Sequence, residues 1–206
     1  MATITDYSTY THDGTTVNTA AQSTVDKKFG ASSLKLASGD YVQIADSNDW
    51  IFGSGDLTWE CWFNSDLAGT YQIIFGQYSN ATNWGGMFVY PDASNGQIGF
   101  GYLNAGNWDI NASVSGLVMP LNTWHHVAVV RASDVWYAYL NGTRYALGLN
   151  VGSWSSTFPN FAGDMYIGTL FGNFGANFSG YIDELRISKG IARWTDPTFT
   201  VPTEAY

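Results

Sequence analysis

Phe178 to Trp194 reads Phe-Ser-Gly-Tyr-Ile-Asp-Glu-Leu-Arg-Ile-Ser-Lys-Gly-Ile-Ala-Arg-Trp. Its first half alternates as a strand does, with Tyr181, Asp183, Leu185 and Ile187 on one face and Ile182, Glu184 and Arg186 on the other. This reading sets Asp183 among core residues, where an ionised carboxylate must be paired, hydrogen-bonded or metal-bound. Ser188-Lys189-Gly190 then turns the chain into Ile191-Ala192-Arg193-Trp194, and Pro197 stops any regular element. The stretch is a closing strand followed by a segment that locks it.

Working outward from it, the same period of two recurs. Leu57, Trp59, Cys61 and Phe63 alternate against Thr58, Glu60, Trp62 and Asn64. Trp124 to Arg131 and Val135 to Leu140 form a hairpin, and Asn141-Gly142 is a strong signal for the next turn. Shorter strands are expected at 29–36, 41–44, 71–75, 86–90, 97–103, 144–149 and 164–168, with polar loops at 77–85 and 104–113. Residues 1–28 are polar and Thr-rich and read as an arm or edge strand leading into a domain at 29–206. No segment carries a capped period of 3.6, so the chain is an all-β sandwich in a single domain.

Composition narrows the function. With 17 acidic and 8 basic side chains the net charge is -9, which disfavours nucleic acid as a partner because phosphate binding needs clustered cations. No apolar run is long enough to span a bilayer, and the N-terminus shows no basic and apolar export signal. A single cysteine, Cys61, rules out an intrachain disulfide.

Several blocks in order carry a resemblance: Phe29-Gly30-x-Ser32-x-Leu34, Gly39-Asp40-Tyr41-Val42, Trp59-x-Cys61-Trp62-Phe63, Trp124-His125-His126 through Arg131, Tyr139-Leu140-Asn141-Gly142, and Gly180 through Ile187. Over about residues 12–206 the chain resembles the laminin-G-like branch of the concanavalin A-like lectin/glucanase superfamily. Its tail from Ser188 to Tyr206 is similar to versions found on tailed bacteriophage structural proteins. The resemblance implies a jelly-roll sandwich of two curved antiparallel sheets, one concave and one convex, often with a bound calcium ion. The region before Phe29 departs from the phage-type pattern, which carries a longer leader strand after the Asp-Gly turn.

In this superfamily calcium often ties the closing strand to the N-terminal region, so the resemblance points to Asp183 with Asp13 and the carbonyl of Gly14 as ligands, Asp40 being a second choice. The alternative is that Asp183 accepts hydrogen bonds from backbone N–H groups of a neighbouring loop. The glucanase relatives carry two acids roughly 5 Å apart on one strand face. This chain has no such run: Asp183 and Glu184 are adjacent and point to opposite faces, and Glu60 is alone. His125 and His126 likewise point apart, and Gly172-Asn173-Phe174-Gly175 opens no helix that would hold phosphate.

Sugar binding pairs aromatic rings with Asn, Asp and Gln side chains, and loops at 78–84, 104–111 and 154–161 offer both. Asn83, Trp84, Trp108, Asp109 and Trp154 are the candidate ligand contacts, although such rings could equally cap the core or fill a protein interface, including one between copies of the chain. The expected protein is a non-enzymatic virion component, exposed on the particle for adhesion or decoration, whose ligand is a host-surface glycan or a neighbouring virion protein. The alternative is an extracellular carbohydrate-binding module of a bacterial secreted protein.

Overall fold

A computed structural model describes residues 2–154, 157–170 and 176–206. Its described strands are β1 Thr3–Ile4, β2 Gly14–Val17, β3 Ala21–Ser23, β4 Ser33–Leu36, β5 Tyr41–Ile44, β6 Leu57–Ser65, β7 Gln72–Asn80, β8 Asn83–Tyr90, β9 Gly96–Asn104, β10 Asn107–Leu117, β11 His125–Ala132, β12 Val135–Leu140, β13 Thr143–Tyr145, β14 Gly148–Gly152, β15 Met165–Ile167 and β16 Gly180–Lys189. They form the expected jelly-roll sandwich of two antiparallel sheets. One has nine strands in the order β1-β2-β5-β15-β7-β8-β9-β10-β14, the other seven in the order β13-β12-β11-β6-β16-β4-β3. The N-terminal arm enters both sheets, since β2 pairs with β5 and β3 pairs with β4.

The core lies between the sheets. Trp59 is 1% exposed and meets Phe52, Phe75, Phe100 and Phe158 edge-on, with ring centroids 5.1–6.1 Å apart. Such T-shaped contacts add to the area that each ring buries. A second, smaller cluster sits on the outer face of the seven-stranded sheet, where Trp194 and Phe199 of the C-terminal segment pack on Ala128, Val130 and Tyr139. That segment is strapped down by Phe199 N–H donating to the Gly142 carbonyl and Arg144 N–H donating to the Pro197 carbonyl, both at 2.9 Å.

Three expectations change. The polar loops at 77–85 and 104–113 are strand for most of their length. The turns between these strands need only Ala81-Thr82 and Ala105-Gly106, the latter with both φ angles positive as a two-residue hairpin turn requires. The strand expected at 144–149 is split into β13 and β14, which belong to different sheets. Asp183 does not share a face with Leu185 and Ile187. Glu184 adopts φ 51 at a register shift between Asp183 and Arg186, so two residues oppose one on β6. This bulge reverses the alternation. Ile182, Leu185 and Ile187 face the core, while Asp183 and Arg186 lie opposite Trp62 and Glu60 on the outer face.

Candidate functional site

The outer face of the nine-stranded sheet carries aromatic side chains where a solvated face is ordinarily polar. Along β8, Met87 and Val89 point into the core, leaving Trp84, Phe88 and Tyr90 on the other side. Pairing aligns Tyr78, Trp84, Leu103 and Trp108 as one row across β7 to β10. Trp84 and Trp108 meet edge-to-face at 5.1 Å and 81°. A second cluster lies further along β8: Tyr71 meets Phe88 at 5.3 Å and Tyr90 at 5.2 Å. Tyr71 is 46% exposed, and its hydroxyl donates to Gln97 Oε1 at 3.2 Å.

Glycines on β9 make room for both clusters. A Cβ at Gly101 would lie 3.0 Å from Trp108 Cζ3, and one at Gly99 would lie 2.2 Å from Phe88 Cζ, so each ring reaches across the backbone of its neighbour. Gly99→Ala is therefore expected to displace Phe88 and cost about 1–3 kcal/mol. Urea unfolding measures the cost, and a value within error of zero would show that the glycine is not needed there.

Of the residues expected from sequence, Trp84 and Trp108 come together, as strand residues and not loop residues. Asn83 adjoins them, but its side chain staples two turns: Nδ2 donates to Asn80 Oδ1 at 3.0 Å and Oδ1 accepts the Ala105 N–H at 3.0 Å. Asp109 sits at a register shift beside Trp108 and accepts from Asn104 Nδ2 at 3.2 Å. Trp154 packs instead against the main core, and its carbonyl accepts the Trp136 indole N–H at 3.3 Å. Residues 155 and 156 of the expected third loop, and the stretch at 172–175, lie outside the described residues. Sequence reading passed over Tyr71, Phe88, Tyr90 and Gln97. For Phe88 and Tyr90 the signal was the alternation of β8, legible once Trp84 is placed in the strand.

The expected calcium ligands do not form one set. Asp183 stands on β16, and its carboxylate accepts backbone N–H groups of Lys28 at 2.8 Å, Phe29 at 3.1 Å and Glu184 at 3.0 Å. Asp13 and Gly14 lie at the start of β2 in the other sheet, where Asp13 Oδ1 accepts the Asp6 N–H at 2.9 Å. Asp40 accepts from Thr19 and Ala37. Among the described residues no three His, Cys, Asp or Glu side chains cluster as a metal site. Three backbone N–H donors compensate the Asp183 charge. Asp183→Asn is expected to cost about 1–3 kcal/mol by turning a donor toward donors, equally in calcium and in chelator. A wild-type thermal midpoint that falls in chelator while that of Asp183→Asn does not would show instead that this carboxylate binds the ion.

The other conspicuous polar group is Glu60, fully buried on the outer face of the seven-stranded sheet. Oε1 accepts from Arg186 Nε at 2.7 Å, and Oε2 accepts from the Tyr206 hydroxyl at 2.7 Å and lies 3.2 Å from His126 Nε2. Burial alone would raise its pKa. The bonds from His126 and Tyr206 and the charge of Arg186 outweigh that and hold it below the usual glutamate range. His126 is equally buried, so this group faces no opening. His125 points to the other face, against Phe63, with Nε2 3.1 Å from the Pro120 carbonyl.

Residues 36–194 match a laminin-G-type family model described as the concanavalin A-like lectin/glucanases superfamily. Solved structures share the fold. Domain 4 of AbnA, an extracellular arabinanase from Geobacillus stearothermophilus in complex with arabinotriose, aligns with TM-score 0.63 and 19% identity, over 87% of this chain and 83% of that one. The enzymatically active domain of bacteriophage CBA120 tailspike protein 2 aligns with TM-score 0.59 and 13% identity, over 84% of this chain and 28% of that one. Domains LG4-5 of the mouse laminin alpha1 chain align with TM-score 0.51 and 14% identity, over 75% of this chain and 40% of that one. No curated protein matches the sequence. No helix among the described residues is long and apolar enough to cross a membrane.

Proposed function

The chain belongs to the concanavalin A-like lectin/glucanases superfamily, and from that premise we propose that it is a non-enzymatic glycan-binding domain whose site is the outer face of the nine-stranded sheet. The observation that carries this reading is the Trp84–Trp108 pair, two half-buried rings held on a strand face beside Asn104 and Asp109. Apolar ring faces of a sugar stack on such side chains, and its hydroxyls need neighbouring amides and carboxylates. Glu60, whose buried carboxylate is taken up by Arg186, Tyr206 and His126, supports binding without turnover, because glycoside hydrolysis draws on two acids flanking one bond.

The setting we propose is the surface of a virion, as an adhesion or decoration domain that meets a host-surface glycan or a neighbouring particle protein. The likeness of the tail from Ser188 to Tyr206 to phage structural proteins supports it. The alternative setting, a carbohydrate-binding module of a secreted bacterial protein, is favoured by the arabinanase domain with bound arabinotriose, which this chain matches over most of both lengths. One glycan-array screen tests both. The wild-type chain is expected to retain a defined set of glycans and the Trp84→Ala/Trp108→Ala variant to retain none, with both folded by circular dichroism. Retention unchanged in the variant would place the site elsewhere, and release of reducing ends from a bound glycan would contradict a non-enzymatic role.

A further inference from the structure

All eight Lys and Arg residues belong to the seven-stranded sheet or to segments that adjoin it. No strand of the nine-stranded sheet contains one. Lys35, Arg131, Arg144, Arg186 and Lys189 are on strands of the seven-stranded sheet, Lys27 and Lys28 lie between two of its strands, and Arg193 is in the segment strapped over it. Several are already engaged there. Lys28 lies 4.0 Å over the Trp62 ring, and Arg131 donates to the Gly53 and Gly55 carbonyls at 2.8 and 2.7 Å. The charged groups at the aromatic face are acids instead: Asp109 beside Trp108, and Asp164, whose carboxylate accepts from Gln43 on β5 at 2.6 Å. A uronate, sialate, sulfate or phosphate ester would enter a negative field with no guanidinium or ammonium to receive it.

The two aromatic clusters are also set apart along one strand. Trp84 and Phe88 are four residues apart on the same face of β8, about 14 Å, and Tyr90 lies about 20 Å from Trp84. A mono- or disaccharide reaches one cluster only. Between them the outward position is Gly86, which projects no side chain.

We infer that the ligand of this face is an uncharged oligosaccharide long enough to lie along β8 from the Trp84–Trp108 pair to the Tyr71–Phe88–Tyr90 cluster. The inference rests on the glycan-binding reading and adds charge and chain length to it. Rejection of anionic glycans is built into the sheet by omission of every cation, and the exposed Tyr71 is the contact that short ligands leave unused.

Calorimetric titration with neutral ladders of arabino-, gluco- and N-acetylglucosamine oligomers, dimer to hexamer, against oligogalacturonides of the same lengths, tests this. At least one neutral ladder is expected to gain about tenfold in affinity between trimer and hexamer. Tyr71→Ala, a change at a half-exposed ring, is expected to erase that gain, so that trimer and hexamer bind the variant with similar affinity. Oligogalacturonides are expected not to bind in low or high salt. Equal affinity of trimer and hexamer, or a hexamer indifferent to Tyr71→Ala, would overturn the length rule alone. Oligogalacturonide binding as tight as that of any neutral oligomer would overturn the charge rule. Failure of every oligomer to bind would overturn the glycan-binding face itself.

Discussion

Glu60→Ala is expected to lower the unfolding free energy by about 3–5 kcal/mol, the usual effect of breaking a buried ion pair from one side. The carboxylate is fully buried and holds together three separate parts of the chain: β11 through His126, β16 through Arg186, and the C-terminal segment through the Tyr206 hydroxyl. Arg193 adds a fourth, longer contact at 3.5 Å. Removing the acid leaves Arg186, the buried His126 and the Tyr206 hydroxyl without their acceptor and releases the end of the C-terminal segment. Tyr206→Phe deletes one bond and is expected to cost less, about 1–2 kcal/mol.

The same network fixes an acid dependence. Because the folded-state pKa of Glu60 lies below its unfolded value, the group stabilises the fold above the ordinary glutamate range, and that contribution is lost as pH falls through the folded-state pKa. Chemical unfolding across acid pH is therefore expected to show a limb that Glu60→Gln flattens. An identical limb in wild type and variant, or a loss below about 1 kcal/mol for Glu60→Ala, would mean that the network is not what holds the C-terminal segment.

Trp108→Ala is expected to weaken glycan binding about 100-fold, as loss of a central aromatic contact does in other interfaces. Trp84→Ala should match it, because the two rings brace each other edge-to-face. Both side chains are only partly buried and stand on the outer face, so the variants should remain folded, with thermal midpoints a few degrees below wild type. Trp154→Ala serves as the contrast. Its ring packs on the core, so it is expected to cost stability and leave affinity within about threefold. The reverse pattern, affinity lost with Trp154→Ala and kept with Trp108→Ala, would move the site to the surroundings of Trp154.

Much of the fold was legible because local physics and tertiary structure agree. The alternation of Leu57 to Phe63 marks the central strand of one sheet, and Asn141-Gly142, both at positive φ, forms the turn that its sequence announces. The aromatic face was half legible. Trp84 and Trp108 stood out as residues, but the Gly and Asn around them resemble a loop. The space these rings need is left by Gly99 and Gly101 on β9, where a side chain would meet Phe88 and Trp108, a constraint that appears only once the strands are paired.

Asp183 shows a different limit. Its face was misassigned because one residue, Glu184, takes a left-handed conformation and inserts a bulge, and nothing in the period of two announces that. Glu60 was seen as a lone carboxylate, yet its partners at 126, 186 and 206 meet only in the folded sheet.

The account turns on which face meets the glycan, and the indole N–H signals of the nine Trp side chains report on both faces at once. Nitrogen-labelled protein titrated with the tightest-binding glycan of the array should show the Trp84 and Trp108 signals moving with saturable dependence. Those of Trp62, Trp124 and Trp194, on the side of the seven-stranded sheet, should stay in place. Movement confined to Trp62, Trp124 or Trp194, with Trp84 and Trp108 unmoved at saturation, would contradict the assignment of the aromatic face as the binding site.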